Sequence, residues 1–140
     1  MRVFIGGVMQ ASNPGKGIVD QSYRRQIAAA FKARWPDVEV TDPFSLHPNS
    51  VEYDDTAAKE TLFAMLHLAA CSDLVIAYVP TASMGTALEM YAAYQAGVPV
   101  ITISPLATNW VVIALSRRIF PDLASFLVAL AAAESPLTLV

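Results

Sequence analysis

A chain of 140 residues is long enough to close one hydrophobic core, and with 55% hydrophobic and 15% charged residues it is not a disordered segment. The formal net charge of −3 excludes a general polynucleotide binder, which needs Lys and Arg massed on one face; Arg24-Arg25 and Arg117-Arg118 are only pairs. One cysteine, Cys71, excludes an intramolecular disulfide and fits a reducing compartment. The apolar run after Met1 is too short for a signal peptide, so a cytoplasmic location is expected.

In chain order, Val3-Phe4-Ile5 reads as a short buried strand ended by Gly6-Gly7, followed by a polar loop through residues 12–17. Residues 20–34 carry Ile27, Ala30 and Phe31 at helical spacing, and Pro36 closes that helix before a candidate strand at 38–40. Residues 42–55 form a loop rich in Pro, Asn, His and Asp, long enough to be functional. A helix is expected over 57–71, with Leu62, Met65, Leu66 and Ala69 along one stripe. The continuous apolar run at 74–79 marks a central parallel strand covered on both faces. A short loop, a helix over 86–96 capped by Gly97, and a strand over 98–103 come next. The last third reads as one or two helices, at 109–118 and 122–133.

This alternation predicts a single α/β domain over 1–140. Its sheet should be doubly wound and flavodoxin- or Rossmann-like, with four to five parallel strands and helices on both faces. Ligands of such sheets bind beyond the carboxyl ends of the strands, where strand order reverses. The loops at 6–19, 80–86 and 104–109 fit that place. No charged residue occurs between Met90 and Ser116, which points to a surface covered by another subunit and hence a homo-oligomer. Gly97, Pro99 and Pro105 interrupt that stretch too often for a membrane span.

The segment Pro80-Thr81-Ala82-Ser83-Met84-Gly85-Thr86-Ala87-Leu88-Glu89 runs from the buried strand into a helix start. Helix N-termini offer unpaired N–H groups to an anion; Ser83 adds a hydroxyl and Gly85 lets the backbone approach closely. Glu89 is expected within the first turn, where the helix end would keep it ionised at neutral pH. An ionised carboxylate there can stabilise or attack an anomeric carbon in an oxocarbenium-like state. Thr86-Ala87-Leu88-Glu89 also spells a capping box, in which Glu89 would only reach back to its own helix end.

The run Ser72-Asp73-Leu74-Val75-Ile76-Ala77, then Ser83-Met84-Gly85-Thr86-Ala87-Leu88-Glu89-Met90, then Ala96-Gly97-Val98-Pro99-Val100, resembles the nucleoside 2-deoxyribosyltransferase family, including its nucleoside 5′-monophosphate N-glycosidases. The resemblance implies Glu89 as nucleophile in glycosyl transfer or hydrolysis on a nucleoside or its 5′-monophosphate, with no metal or organic cofactor. Transferases of the family carry an Asp where this chain has Ser83. A Ser there resembles the monophosphate hydrolases and implies a nucleotide substrate. One departure is Met65, which stands where the hydrolases carry an Asp.

The resemblance further implies a substrate contact from Asn109, with a site shared between subunits, and Asp73 at the strand start could orient a sugar hydroxyl. Gly6 and Gly7 in the first loop suggest contacts to base or phosphate, and Arg24 could neutralise a phosphate. Each has a plainer alternative: strand-start amides for Asp73, an N-cap for Asn109, a solvated helix face for Arg24. His47 and His67 lack ligand spacing, so no metal site is expected. A phosphoribohydrolase resembling the cytokinin-activating type is an alternative, although its Pro-Gly-Gly motif is missing at Pro80-Thr81-Ala82. A catalytically silent nucleotide-binding sensor module is another.

Overall fold

The computed structural model describes all residues 1–140. Its first strand, β1 (Arg2–Gly7), leads into helix α1 (Ser22–Arg34) and the short strand β2 (Glu39–Thr41). A four-residue helix α2 (Pro43–Leu46) and a 3₁₀ turn at Ser50–Glu52 precede helix α3 (Asp55–Ala70). Strand β3 (Leu74–Tyr78), helix α4 (Met84–Gln95) and strand β4 (Val100–Ile103) follow. Helix α5 (Trp110–Leu115), strand β5 (Arg118–Phe120) and helix α6 (Leu123–Ala132) complete the fold, with a final 3₁₀ turn at Pro136–Leu139.

All neighbouring strands are parallel, in the order β2-β1-β3-β4-β5. The expected doubly wound α/β fold is therefore observed, with five strands. Residues of β1, β3 and β4 are almost all fully buried, which is why these segments read as unbroken apolar runs. Alternate side chains feed two cores. Val3, Ile5, Leu74 and Ile76 meet Ile27 and Phe31 of α1 and Phe126 and Leu130 of α6. Phe4, Val75 and Ala77 meet Met65 and Ala69 of α3 and Met90 and Ala93 of α4.

Three expectations for the chain's course are corrected. Residues 116–118 do not continue a helix: Ser116 is extended and β5 pairs with β4 through Ile101, Thr102 and Ile103. Three residues are too few to display a strand period, and Arg118 at its start hides the apolar character. The loop at 42–55 contains α2, whose N-cap Asp42 accepts from Phe44 N, with Pro43 at the first helical position. Helix α4 starts two residues earlier than its expected start at 86.

Strand order reverses between β1 and β3, so the crevice at Gly7 and Tyr78 is where such a sheet binds its ligand. A cavity of about 540 Å³ at the opposite edge, against Val100 and Arg117, faces the amino ends of the strands. No helix is long and apolar enough to cross a membrane.

Candidate active site

Ser83 is the N-cap of α4, its hydroxyl accepting from Thr86 N at 3.4 Å and bonding Thr86 Oγ1 at 3.0 Å. Counting from that cap, Glu89 falls in the second turn, not the first. The capping box at 86–89 is absent, because Ser83 rather than Thr86 opens the helix. Glu89 is thereby free of its own helix end. It joins neither of the chain's ion pairs, Lys16–Glu52 and Arg24–Asp42, and takes no hydrogen bond from the protein.

The carboxylate of Glu89 lies across the end of β1. A Cβ added at Gly6 would fall 2.6 Å from Glu89 Oε2, so only glycine leaves room for it. At Gly7 a Cβ would collide with the ring of Tyr23, which stacks on Tyr78 at 4.1 Å between centroids. Burial raises the Tyr23 hydroxyl well above its usual range, and it donates to Val8 O at 3.3 Å. The two glycines thus make space for a carboxylate and for the aromatic floor beside it.

Burial pushes the pKa of Glu89 up to about 8, against a smaller opposing pull from the Arg24 guanidinium. This corrects the expectation that the helix end keeps Glu89 ionised. The helix field fades within the first turn, and Glu89 stands one turn too far along for it to outweigh desolvation.

Glu89 faces a cavity of about 210 Å³ bordered by Gly7, Met9, Ala11, Pro43, Ser83 and Gly85 among others. Nothing lies within 4 Å of where a Cβ on Gly85 would stand, so the helix start opens directly onto space. Pro43, the first residue of α2, enters from the 42–55 segment that its length marked as functional without placing it at the site. Because β2 lies beside β1, the segment after it opens at the same sheet edge. No group of three or more His, Cys, Asp or Glu residues converges anywhere as a metal site.

The remaining expected site residues are dispersed. Arg24 is 1% exposed and inside the cavity's wall. It donates to Gln21 Oε1 (2.7 Å), Ile5 O (2.8 Å), Gly7 O (2.9 Å) and Asp42 Oδ1 (3.0 Å). Four of its five N–H donors go to protein acceptors, so the guanidinium fixes the carboxyl end of β1 and is not the solvated helix face that the plainer alternative offered. Asp73 accepts from Arg2 N at 2.7 Å at the amino end of β3, about 16 Å along the strand from the crevice. It is therefore not a contact for a ligand at Glu89. Asn109 is the N-cap of α5, accepting from Val111 N and Val112 N, and borders an adjoining chamber rather than Glu89 itself. Met65 is buried in the core between α3 and the sheet and does not border the Glu89 cavity.

The chain is thus an α/β fold with a five-stranded, all-parallel, doubly wound sheet and a carboxylate at the point of strand reversal. Among solved structures, the chain is similar to a 2-deoxyribosyltransferase from the psychrotolerant bacterium Bacillus psychrosaccharolyticus, with a TM-score of 0.71 and 15% identity over 99% of this chain and 96% of that one. It is also similar to a protein from Enterococcus faecalis V583 (TM-score 0.65, 20% identity, 94% and 98% covered). A third match is the Clostridium botulinum CMP N-glycosidase BcmB (TM-score 0.55, 19% identity, 95% and 100% covered). At these identities the likeness is one of fold. No protein-family model matches the sequence, and no curated protein is similar to it in sequence.

Proposed function

We propose that the chain cleaves or transfers the N-glycosidic bond of a nucleoside or nucleoside 5′-monophosphate, with Glu89 as nucleophile. One observation carries this reading: an unpaired carboxylate, displaced from any capping role, lies against Gly6 in a cavity at the strand-order reversal. The ionised carboxylate attacks the anomeric carbon as the bond to the base nitrogen breaks; the electron pair leaves on the base, which takes a proton from solvent. Water, or a second base, then attacks the same carbon, gives up its proton and releases the carboxylate. Met84 N and Gly85 N have no protein acceptor at the start of α4, and together with the Ser83 hydroxyl they meet the 5′ end of the sugar. The fold likeness to a 2-deoxyribosyltransferase and to a CMP N-glycosidase supports the same chemistry.

The test is a screen of nucleosides and 5′-monophosphates for liberated base; no free base from any of them would sink the reading. Because only ionised Glu89 attacks, kcat/KM is expected to climb about tenfold per pH unit up to about pH 8 and to level off above it. A flat profile between pH 6 and 8 would contradict this. Gly6→Ala should displace the carboxylate and lower base release roughly 10- to 100-fold, with little change in circular dichroism.

A second copy of the chain belongs to the proposal. Of its 16 residues, α3 buries only Met65 and Ala69, while Phe63 on α3, Leu88 and Tyr91 on α4, and Trp110 on α5 are exposed. A homo-oligomer covering these helices, with its site shared between subunits, is expected; Phe63→Glu should shift the sedimentation coefficient to that of a monomer. A catalytically silent nucleotide-binding module is a second reading. It is favoured by the absence of any other carboxylate or His around the Glu89 cavity. Thermal stabilisation by nucleotide without base release would select it.

A further inference from the structure

Ser83 and Met84 form a partition between two spaces. On one side is the Glu89 cavity; on the other is a chamber of about 450 Å³ beside α4 and α5, and Ala11 borders both. The chamber is walled by Val79, Ala82, Ala87, Met90, Leu106 and Val112, and no charged side chain lines it. Its polar side chains are only Ser12, Ser83 and Asn109; Asn109 Oδ1 caps α5, and the Ser83 hydroxyl bonds Thr86. On the Glu89 side the one guanidinium, Arg24, is committed to four protein acceptors, and Lys16 is paired with Glu52. Beyond the Met84 and Gly85 amides, no uncommitted positive side chain near Ser83 is left to balance a phosphate dianion. Met84, 86% exposed, is a flexible side chain at the doorway between the two spaces.

Ser83 and Glu89 are six residues apart, roughly 9 Å along the helix. The Glu89 side chain leans back toward the helix N-terminus, which shortens that interval to about the reach of a pentose from C1′ to its 5′ oxygen, and whatever extends beyond the 5′ carbon passes Met84 into the chamber. We infer that the chamber is a subsite for an uncharged, apolar substituent on the 5′ carbon, so that the substrate class is 5′-modified nucleosides in preference to 5′-monophosphates. This rests on the reading of Ser83 as the residue at the sugar's 5′ end.

The probes are a purine and a pyrimidine nucleoside, their 5′-monophosphates, and their 5′-methylthio, 5′-ethylthio and 5′-butylthio derivatives. Binding is measured by calorimetry and base release in parallel, for the wild type and for Ala87→Leu and Ala82→Leu. Wild-type affinity is expected to rise about threefold per methylene, with the monophosphate weaker than the parent nucleoside. Each substitution should flatten the rise; Ala82 is in an exposed loop, so its variant carries the test if Ala87→Leu misfolds. A tighter monophosphate, a flat wild-type series, a rise that survives both substitutions, or no binding at all would overturn the subsite. Rising affinity without free base would instead remove the glycosidic reading and leave the subsite standing.

Discussion

Glu89→Gln is expected to lower base release by roughly three orders of magnitude or more while making the protein more stable above pH 8. Gln keeps the volume and hydrogen-bonding capacity of the side chain but cannot attack carbon. The stability change follows from protonation. With its pKa raised from 4.5 to about 8 by burial, folded Glu89 holds its proton through a range in which the unfolded chain has released it. Wild-type stability therefore falls as pH rises from about 4.5 to about 8, and Gln escapes that loss. At pH 9 the variant should be more stable by roughly 1–3 kcal/mol, with no difference near pH 4; opening of the site to its cavity keeps the gain below the full shift. Urea unfolding at the two pH values measures it. Equal stabilities at pH 9 would mean that the carboxylate is hydrated and ordinary.

Arg24→Met is expected to be the most destabilising single change in the molecule, at about 3–5 kcal/mol. The guanidinium is 1% exposed and ties four acceptors from three directions: Gln21 on the approach to α1, Ile5 and Gly7 on β1, and Asp42 at the start of α2. Methionine fills much of the volume but leaves two buried carbonyls and a largely buried carboxylate without their donor. The urea midpoint should drop by about 2 M. Asp42→Asn in the same background should recover part of the loss, because it removes the stranded charge while keeping a side-chain oxygen for Phe44 N. Independent, additive losses would show that the ion pair is incidental.

The contrast between these two residues explains what the sequence made legible. Fold class came from periodicity: β1, β3 and β4 are buried on both faces, and their apolar runs could be nothing else in a chain alternating with helices. The location of Glu89 came from the same logic, since a loop after a central strand must open at the carboxyl edge. Its environment did not, because desolvation is a property of what folds around a side chain, here Gly6 and the Arg24 neighbourhood. Arg24 was misjudged for a related reason. An Arg on a helix next to another Arg reads as solvated surface, and only β1 and Asp42, 18 residues away, turn it inward. Asp73 was open to two readings, and the Arg2 amide it accepts from matches the strand-start one; its distance from the crevice is set by which end of β3 it occupies.

The position of β1 also governs the order in which the molecule can be built. It is the earliest strand in the chain, yet it lies between β2 and β3, and its other flank is only three residues long. An emerging polypeptide can cover Val3 and Ile5 with α1 but must keep one edge of β1 unpaired until residues 74–78 have been synthesised. Fragments ending before β3 should aggregate or be degraded, and holding of the nascent N-terminus by a chaperone would raise the yield of folded protein.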